Sequence, residues 1–344
     1  METNTIITAQ SPGKIILSGE YAVLYGSSAI AMAVNRFMTV TIEPFSSEQN
    51  EIYVITERKK EKIYLDKLID THEKINKRYE SFLKGNLPIV SVLENPLDLT
   101  KSVLASFILL FEIKKFHSMT IRIQSEIPIG CGMGSSAALI SALLLALSGY
   151  FRKHMDQRSF IELAIQSENL QHGKASQLDL RTCLLGGGLR YSAKRILKLD
   201  LSFLLFFLIN TGKPQSTTGE CVTQVAENFS QKSIWRSFRR VTSQMNIALK
   251  NLNCNLLHDL ILENHYLLCK IQVVPEKVKH FISLLEEKNF AAKVCGAGSV
   301  SGETAGIVLV LGQLTADVQL LCKQYQYEIL LCRNYQEGVK IRSL

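Results

Sequence analysis

Three glycines at alternate positions, Gly130, Gly132 and Gly134, run straight into Ser135–Tyr150, a stretch without one charged side chain. A surface helix keeps a polar face; this stretch has none, so it reads as a helix buried on all sides. Ala137 to Phe151 is the longest apolar run, but Ser141, Ser148 and Gly149 interrupt it, and it is too short to span a bilayer. The chain must therefore build a core thick enough to surround one helix. Its 344 residues and 47% hydrophobic content allow that, as one two-lobed globule or two ordinary domains.

The glycine turn carries chemistry of its own. Lacking Cβ atoms, the backbone from Gly130 to Gly134 can approach a phosphate chain closely. The helix that follows presents unpaired amides and the positive end of its dipole. Ser135 and Ser136 stand at its start, where a hydroxyl can ligate Mg²⁺ or cap the helix. A plain strand-to-helix turn with a serine cap uses the same residues, and the local sequence leaves both readings open. The commoner nucleotide motifs do not fit. No GxxxxGK followed by Ser or Thr is present, a third glycine at the dinucleotide spacing is missing, and the protein-kinase signatures are absent.

The surrounding pattern is mixed. Thr5–Ala9 and Lys14–Leu17 read as short strands flanking a turn at Ser11-Pro12-Gly13. Phe37–Glu43 alternates as a strand with Glu51–Thr56 as its hairpin partner. Lys59–Asn86 is charged and amphipathic, hence helical. Leu99–Phe116 reads as a buried helix, Met119–Gln124 as a strand, Ser159–Leu170 as a helix, and Leu184–Tyr191 as a strand after a loop. In the second half, Phe203–Ile209 suits a buried strand. Helical patterns follow at Thr218–Phe229, Ile234–Leu249, Leu256–Leu268 and Pro275–Glu287. Strands at Ala292–Cys295 and Ala305–Leu311, a helix at Thr315–Gln324 and a strand at Glu328–Cys332 complete the chain. Strands open each half and helices fill the middle, which predicts an α+β protein, not a doubly wound sheet. No fixed-period repeat is present.

The net charge of +8 is spread along the chain. Short clusters such as Arg58-Lys59-Lys60 and Arg239-Arg240 read as solvated surface, so a nucleic-acid partner is not expected. Eight cysteines at irregular spacings, none in a CxxC pair, point to a reduced, cytoplasmic setting. Met1–Ala9 has no signal-peptide character, and no membrane association is expected.

The block Gly130–Ala138 resembles the second motif of the GHMP kinases, and two further blocks fall in that family's order. Ser11-Pro12-Gly13-Lys14-Ile15-Ile16-Leu17-Ser18-Gly19-Glu20-Tyr21-Ala22-Val23 is similar to the first motif, and Lys293-Val294-Cys295-Gly296-Ala297-Gly298 to the start of the third. Between them, Glu168-Asn169-Leu170-Gln171-His172-Gly173, a short loop and Asp179 resemble the mevalonate-kinase branch, as do Gly186-Gly187-Gly188-Leu189-Arg190-Tyr191.

The resemblance implies a two-lobed α+β GHMP kinase fold, with a ribosomal-protein-S5-like lobe over residues 1–195 and a ferredoxin-like lobe over 196–344. It implies ATP with Mg²⁺ as phosphoryl donor and mevalonate as acceptor, giving 5-phosphomevalonate, and it allows a homodimer. Gly130, Gly132, Gly134, Ser135 and Ser136 would hold the nucleotide, with Ser136 and Glu168 on the metal. Asp179 would align the acceptor hydroxyl and take its proton late. Lys14 would stand beside it against the developing charge. Glu20, Tyr21, Thr217, Gly296 and Ala297 would line the acceptor. His172, with no second His or Cys at a ligand spacing, reads as a structural loop residue.

Several positions depart from the branch. Tyr21 replaces its usual His, and Gly-Glu-Tyr-Ala also resembles phosphomevalonate kinases. In the substrate-side loop Asn210–Thr217, Gln215 stands where an Arg is common. Ala175-Ser176-Gln177 replaces Pro-Ser-Gly, and Ser299-Val300-Ser301-Gly302 replaces a glycine run, stiffening that turn. The alternatives are a phosphomevalonate kinase or another GHMP kinase, and a relative that binds ATP and metabolite without turnover. Retention of Lys14, Glu168 and Asp179 argues against the last.

Overall fold

The structure, a computed structural model, describes residues 5–47, 50–173, 176–193, 195–230 and 233–342. The first half runs β1 (Ile7–Ser18), β2 (Ala29–Pro44), β3 (Glu51–Ile55), β4 (Lys60–Tyr64), α1 (Leu65–Leu83), α2 (Asp98–Leu110), β5 (Met119–Ser125), α3 (Ser135–Tyr150), α4 (Gln157–His172), α5 (Leu178–Leu185), β6 (Gly188–Ser192) and β7 (Arg195–Leu199). The second runs β8 (Phe206–Asn210), α6 (Thr218–Phe229), α7 (Ile234–Lys250), α8 (Cys254–Lys270), α9 (Glu276–Glu286), β9 (Ala292–Val294), β10 (Ile307–Leu311), α10 (Ala316–Tyr325), β11 (Glu328–Leu330) and β12 (Lys340–Arg342).

The larger sheet has the order β12-β1-β2-β5-β3-β4, with β6 also paired to β2 and β7 to β6. The smaller sheet is antiparallel in the order β11-β8-β10-β9. The uncharged helix α3 lies against β1 and β2, with α2, α4 and α5 packed around it. This is the enclosure its sequence demands. The mixed architecture is α+β, as the element pattern predicts.

Four local readings are corrected. Ser11-Pro12-Gly13 is no turn: β1 is one strand paired to β2 along its length, and a register shift between Pro12 and Gly13 absorbs the punctuation. A bulge is where a strand tolerates a residue without an N–H. Glu51–Ile55 does not pair with Phe37–Glu43; β3 runs antiparallel to β4 and parallel to β5. Lys60–Tyr64, expected to be helical, is strand β4; it lies at the sheet's edge, where charged side chains are at home. The expected strand from Leu184 begins only at Gly188, because α5 occupies Leu178–Leu185. Among the described residues no helix is long and apolar enough to cross a membrane.

Candidate active site

Lys14 leaves β1 just past its bulge and is 2% exposed. Its Nζ lies 2.9 Å from Asp179 Oδ2 and donates to the Gly132 carbonyl at 3.0 Å. One ammonium thus joins the first motif, the glycine loop and α5. Asp179 is in the first turn of α5, not in a loop. That helix starts from Gln177, held at φ +63. Lys174 and Ala175 lie outside the described residues, and with Ala175 goes the first residue of the segment that departs from the branch.

Gly130, Gly132 and Gly134 have φ of +75°, +88° and +72°. A Cβ on Gly132 would sit 2.9 Å from the Cys295 carbonyl, and one on Gly296 would sit 3.1 Å from Gly132 Cα. One on Gly134 would meet Lys14 Cγ at 2.9 Å, and one on Gly130 would meet Lys213 Cε at 3.2 Å. The absent side chains therefore make room first for protein: they let the second and third motifs press backbone to backbone and let Lys14 pass beneath. Helix α3 begins at Gly134 with no side-chain cap, so the serine-cap alternative is not what forms. Its first intrahelical bond runs from Ala138 N to Gly134 O at 2.9 Å. The amides of Ser135, Ser136 and Ala137 precede it and stay available to an anion.

Glu168 and His172 stand one turn apart on α4. His172 is its last residue, not a loop residue, and its Nε2 is 3.3 Å from Ser136 Oγ. Burial pushes the imidazole pKa down, the Asp179 charge opposes this, and Lys14 adds to it, so the ring is neutral. Glu168 is 3% exposed. Burial first, then the Asp179 charge, raise its carboxyl to about 8 against the pull of Lys14. Its Oε2 is buried without a hydrogen-bond partner. A carboxylate held this way has affinity for a cation to spare.

All five acceptor-lining candidates are engaged within the protein. Tyr21 is buried and its hydroxyl donates to the Ala297 carbonyl at 2.5 Å. Burial, then Cys221, then Glu20 hold that phenol well above its ordinary pKa, so it remains neutral. Glu20 pairs with fully buried Lys293, whose Nζ also donates to the Ile16 carbonyl at 3.0 Å. Glu20 Oε2 is left without a partner. Gly296 packs on Gly132 as described. Thr217 is the N-cap of α6; its side chain accepts from Glu220 N in a capping box. Gln215 packs over Gly302, whose Cβ would lie 2.4 Å from Gln215 Cδ.

Two residues escaped the sequence reading. Lys293 was noticed only as part of a motif, although a lysine inside the apolar run Ala291–Cys295 signals a buried ion pair. In the sequence Lys213 is one residue of the loop Asn210–Thr217; folding brings its side chain over Gly130, and no local signal announces that.

Comparison with known proteins follows the same lines. The sequence profile of the GHMP kinases N terminal domain matches residues 99–187. The chain is 30% identical over 294 residues to a mevalonate kinase of Archaeoglobus fulgidus, covering 84% of this chain and 88% of that one. It is 28% identical over 318 residues to a mevalonate kinase of Methanocaldococcus jannaschii, covering 91% and 94%. The crystal structure of the Methanococcus jannaschii mevalonate kinase superposes with a TM-score of 0.76 at 25% identity, covering 96% of this chain and 98% of that one.

Proposed function

The chain belongs to the GHMP kinase family, and from that premise we propose that it transfers the γ-phosphoryl group of ATP to the hydroxyl of mevalonate, giving 5-phosphomevalonate and ADP. The observation that carries the reading is the Lys14–Asp179 pair at 2.9 Å, set beneath the uncapped start of α3. The relatives named above, mevalonate kinases over most of their length, supply the acceptor.

Phosphoryl transfer asks for positioning and charge neutralisation more than covalent chemistry. In this reading the amides of Ser135, Ser136 and Ala137 receive the triphosphate. Asp179 accepts a hydrogen bond from the acceptor hydroxyl and directs its lone pair at phosphorus. A carboxylate is too weak a base to ionise a free alcohol, so the proton reaches Asp179 only as the new P–O bond forms. Lys14 neutralises the oxygen charge that develops beside it. Glu168, with its orphaned buried oxygen, and the Ser136 hydroxyl fit Mg²⁺ through hard oxygen donors. Once bound there, the ion would neutralise phosphate oxygens. The free state of all eight cysteines supports a reducing, cytoplasmic setting. Division into lobes 1–195 and 196–344 belongs to the same proposal; the change of sheet comes a few residues later, between β7 and β8, and β12 returns to the larger sheet.

A second acceptor is favoured by one observation: Tyr21 is turned into the protein onto Ala297, where the branch usually has a histidine. A phosphomevalonate kinase would fit that change. Purified protein with Mg-ATP, given an acceptor panel and followed by ADP release, decides between them. Turnover with mevalonate is expected; turnover confined to phosphomevalonate moves the assignment, and none with any hydroxyl acceptor removes it.

A further inference from the structure

Residues 333–342 carry none of the three motifs, yet they cross behind the Lys14–Asp179 pair. Lys14 stands opposite Ala33 in the β1–β2 ladder. The Ala33 carbonyl accepts from Tyr335 N at 2.9 Å and from Asn334 Nδ2 at 3.1 Å. Gly187 N donates to the Tyr335 carbonyl at 2.7 Å, and Ala33 N to the Gly187 carbonyl at 2.9 Å. Four residues later Val339 N donates to the Cys183 carbonyl at 3.0 Å, one helical turn beyond Asp179 on α5. Between these bonds the strap and the end of α5 touch backbone to backbone. A Cβ on Gly338 would lie 1.8 Å from the Leu184 carbonyl oxygen, and one on Gly186 would lie 2.2 Å from the Glu337 carbonyl carbon.

Helix α5 is eight residues long and has no side-chain cap at its start. A helix that short does not hold itself in water; its place is set by what it packs against. The strap bonds to the strand behind Lys14 at one end and to the helix that bears Asp179 at the other. We propose that this C-terminal strap, residues 333–339, is a positioning device that fixes the Lys14–Asp179 geometry for phosphoryl transfer. The inference rests on the reading of that pair as the catalytic one. Its residues touch no reacting atom; they act through β2 and α5.

Two variants test it in the full chain. Gly338→Ala drives a methyl group into the Leu184 carbonyl, and Asn334→Ala removes one bond to Ala33 while leaving the fold more room. Each is measured for kcat, for the KM of ATP, for melting temperature, and for hydrogen exchange of the α5 amides. The expected result is a kcat loss of about ten- to a hundred-fold in Gly338→Ala and a smaller one in Asn334→Ala. The KM of ATP stays within about two-fold, and α5 exchanges faster in protein that is still folded. Lys340→Met, which removes the exposed pair with Glu337 and the contact over the Tyr335 ring but leaves the strap's bonds to Ala33, Gly187 and Cys183 in place, keeps its kcat.

Unchanged kcat in both strap variants overturns the proposal, whether or not α5 loosens. So does a kcat loss with unchanged α5 exchange, one matched in Lys340→Met, or one that tracks the folded fraction. If Gly338→Ala does not fold, Asn334→Ala decides by the same criteria. Wild type and Asp179→Asn run alongside. A silent wild type or a fully active Asp179→Asn removes the catalytic reading. The exchange data then judge the strap alone, and unchanged protection of α5 overturns it.

Discussion

The buried Glu168 makes the metal-free chain sensitive to pH in a direction opposite to that of most carboxylates. Its carboxyl rises from the usual 4.5 to about 8, chiefly through burial. The folded chain therefore holds a proton that the unfolded chain has released, over the whole window between those values. Stability of the metal-free chain is full below the lower value and is lost as pH climbs towards the upper one. At about 1.4 kcal/mol per tenfold, that window corresponds to a loss of about 5 kcal/mol at most. With 344 residues and about 2.1 cal/mol/K of unfolding entropy per residue, this becomes a fall in melting temperature of about 7 °C. The assay is thermal unfolding in EDTA across pH 5 to 8 (roughly the window of that shift), for wild type and Glu168→Gln. Wild type should lose stability relative to the variant as pH rises, and added Mg²⁺ should restore most of it at the alkaline end and little at the acid end. Parallel curves in EDTA would refute the argument, because a glutamine cannot lose the proton in question. A Mg²⁺ effect equal at both ends would refute the assignment of the cation to this carboxylate.

Asp179→Asn should lower kcat by about two to four orders of magnitude with the KM of ATP little changed, read in the coupled ADP assay; near-normal turnover would remove it as the base. Ser136→Ala should raise the Mg²⁺ concentration needed for half-maximal rate, since it deletes one of two protein oxygens offered to the ion, and an unmoved titration would count against that role. Lys213→Ala should weaken binding of an anionic ligand by about tenfold, appearing in the KM of ATP or of the acceptor according to which one the lysine faces; no change in either would return it to the solvated surface. Tyr21→Phe should cost about 1 kcal/mol of stability by leaving the Ala297 carbonyl without its donor, measured by denaturant unfolding.

Helix α3 was legible to the residue, because an uncharged stretch between a glycine and a phenylalanine turn has one stable disposition. Helix α6 is legible from its helical pattern over Thr218–Phe229; the Thr217–Glu220 capping box that starts it has a local signature too, yet the sequence reading places Thr217 at the acceptor instead. The Lys14, Glu168, Ser136 and Asp179 set comes from the motif resemblance; folding pairs Lys14 with Asp179, and sets Ser136 against His172, one turn from Glu168 on α4. What escaped was non-local. Pro12-Gly13 has the look of a turn until β2 supplies a partner along the whole strand. The charges of Lys60, Glu61 and Lys62 resemble a helix face until β4 is seen to be an edge. β3 lies parallel to β5, 67 residues on, a pairing that no hairpin signal can announce. Helix α5 is too short for a periodic pattern, so Asp179 passed for a loop residue. Neither the Glu20–Lys293 pair nor the crossing of residues 333–339 can be read from neighbours in sequence.

Strand β12, laid against Thr8–Gln10 of β1, brings residues 340–342 into the sheet that β1 opens. During synthesis the earlier part leaves the ribosome first and can begin to fold, yet the outer border of β1 stays without its mate until residues 340–342 have been made. A nascent chain released early would expose that border to other molecules, the usual route to association through unpaired strands. The first strand to be made is thus among the last to be covered, and only a chain that carries residues 340–342 closes that border.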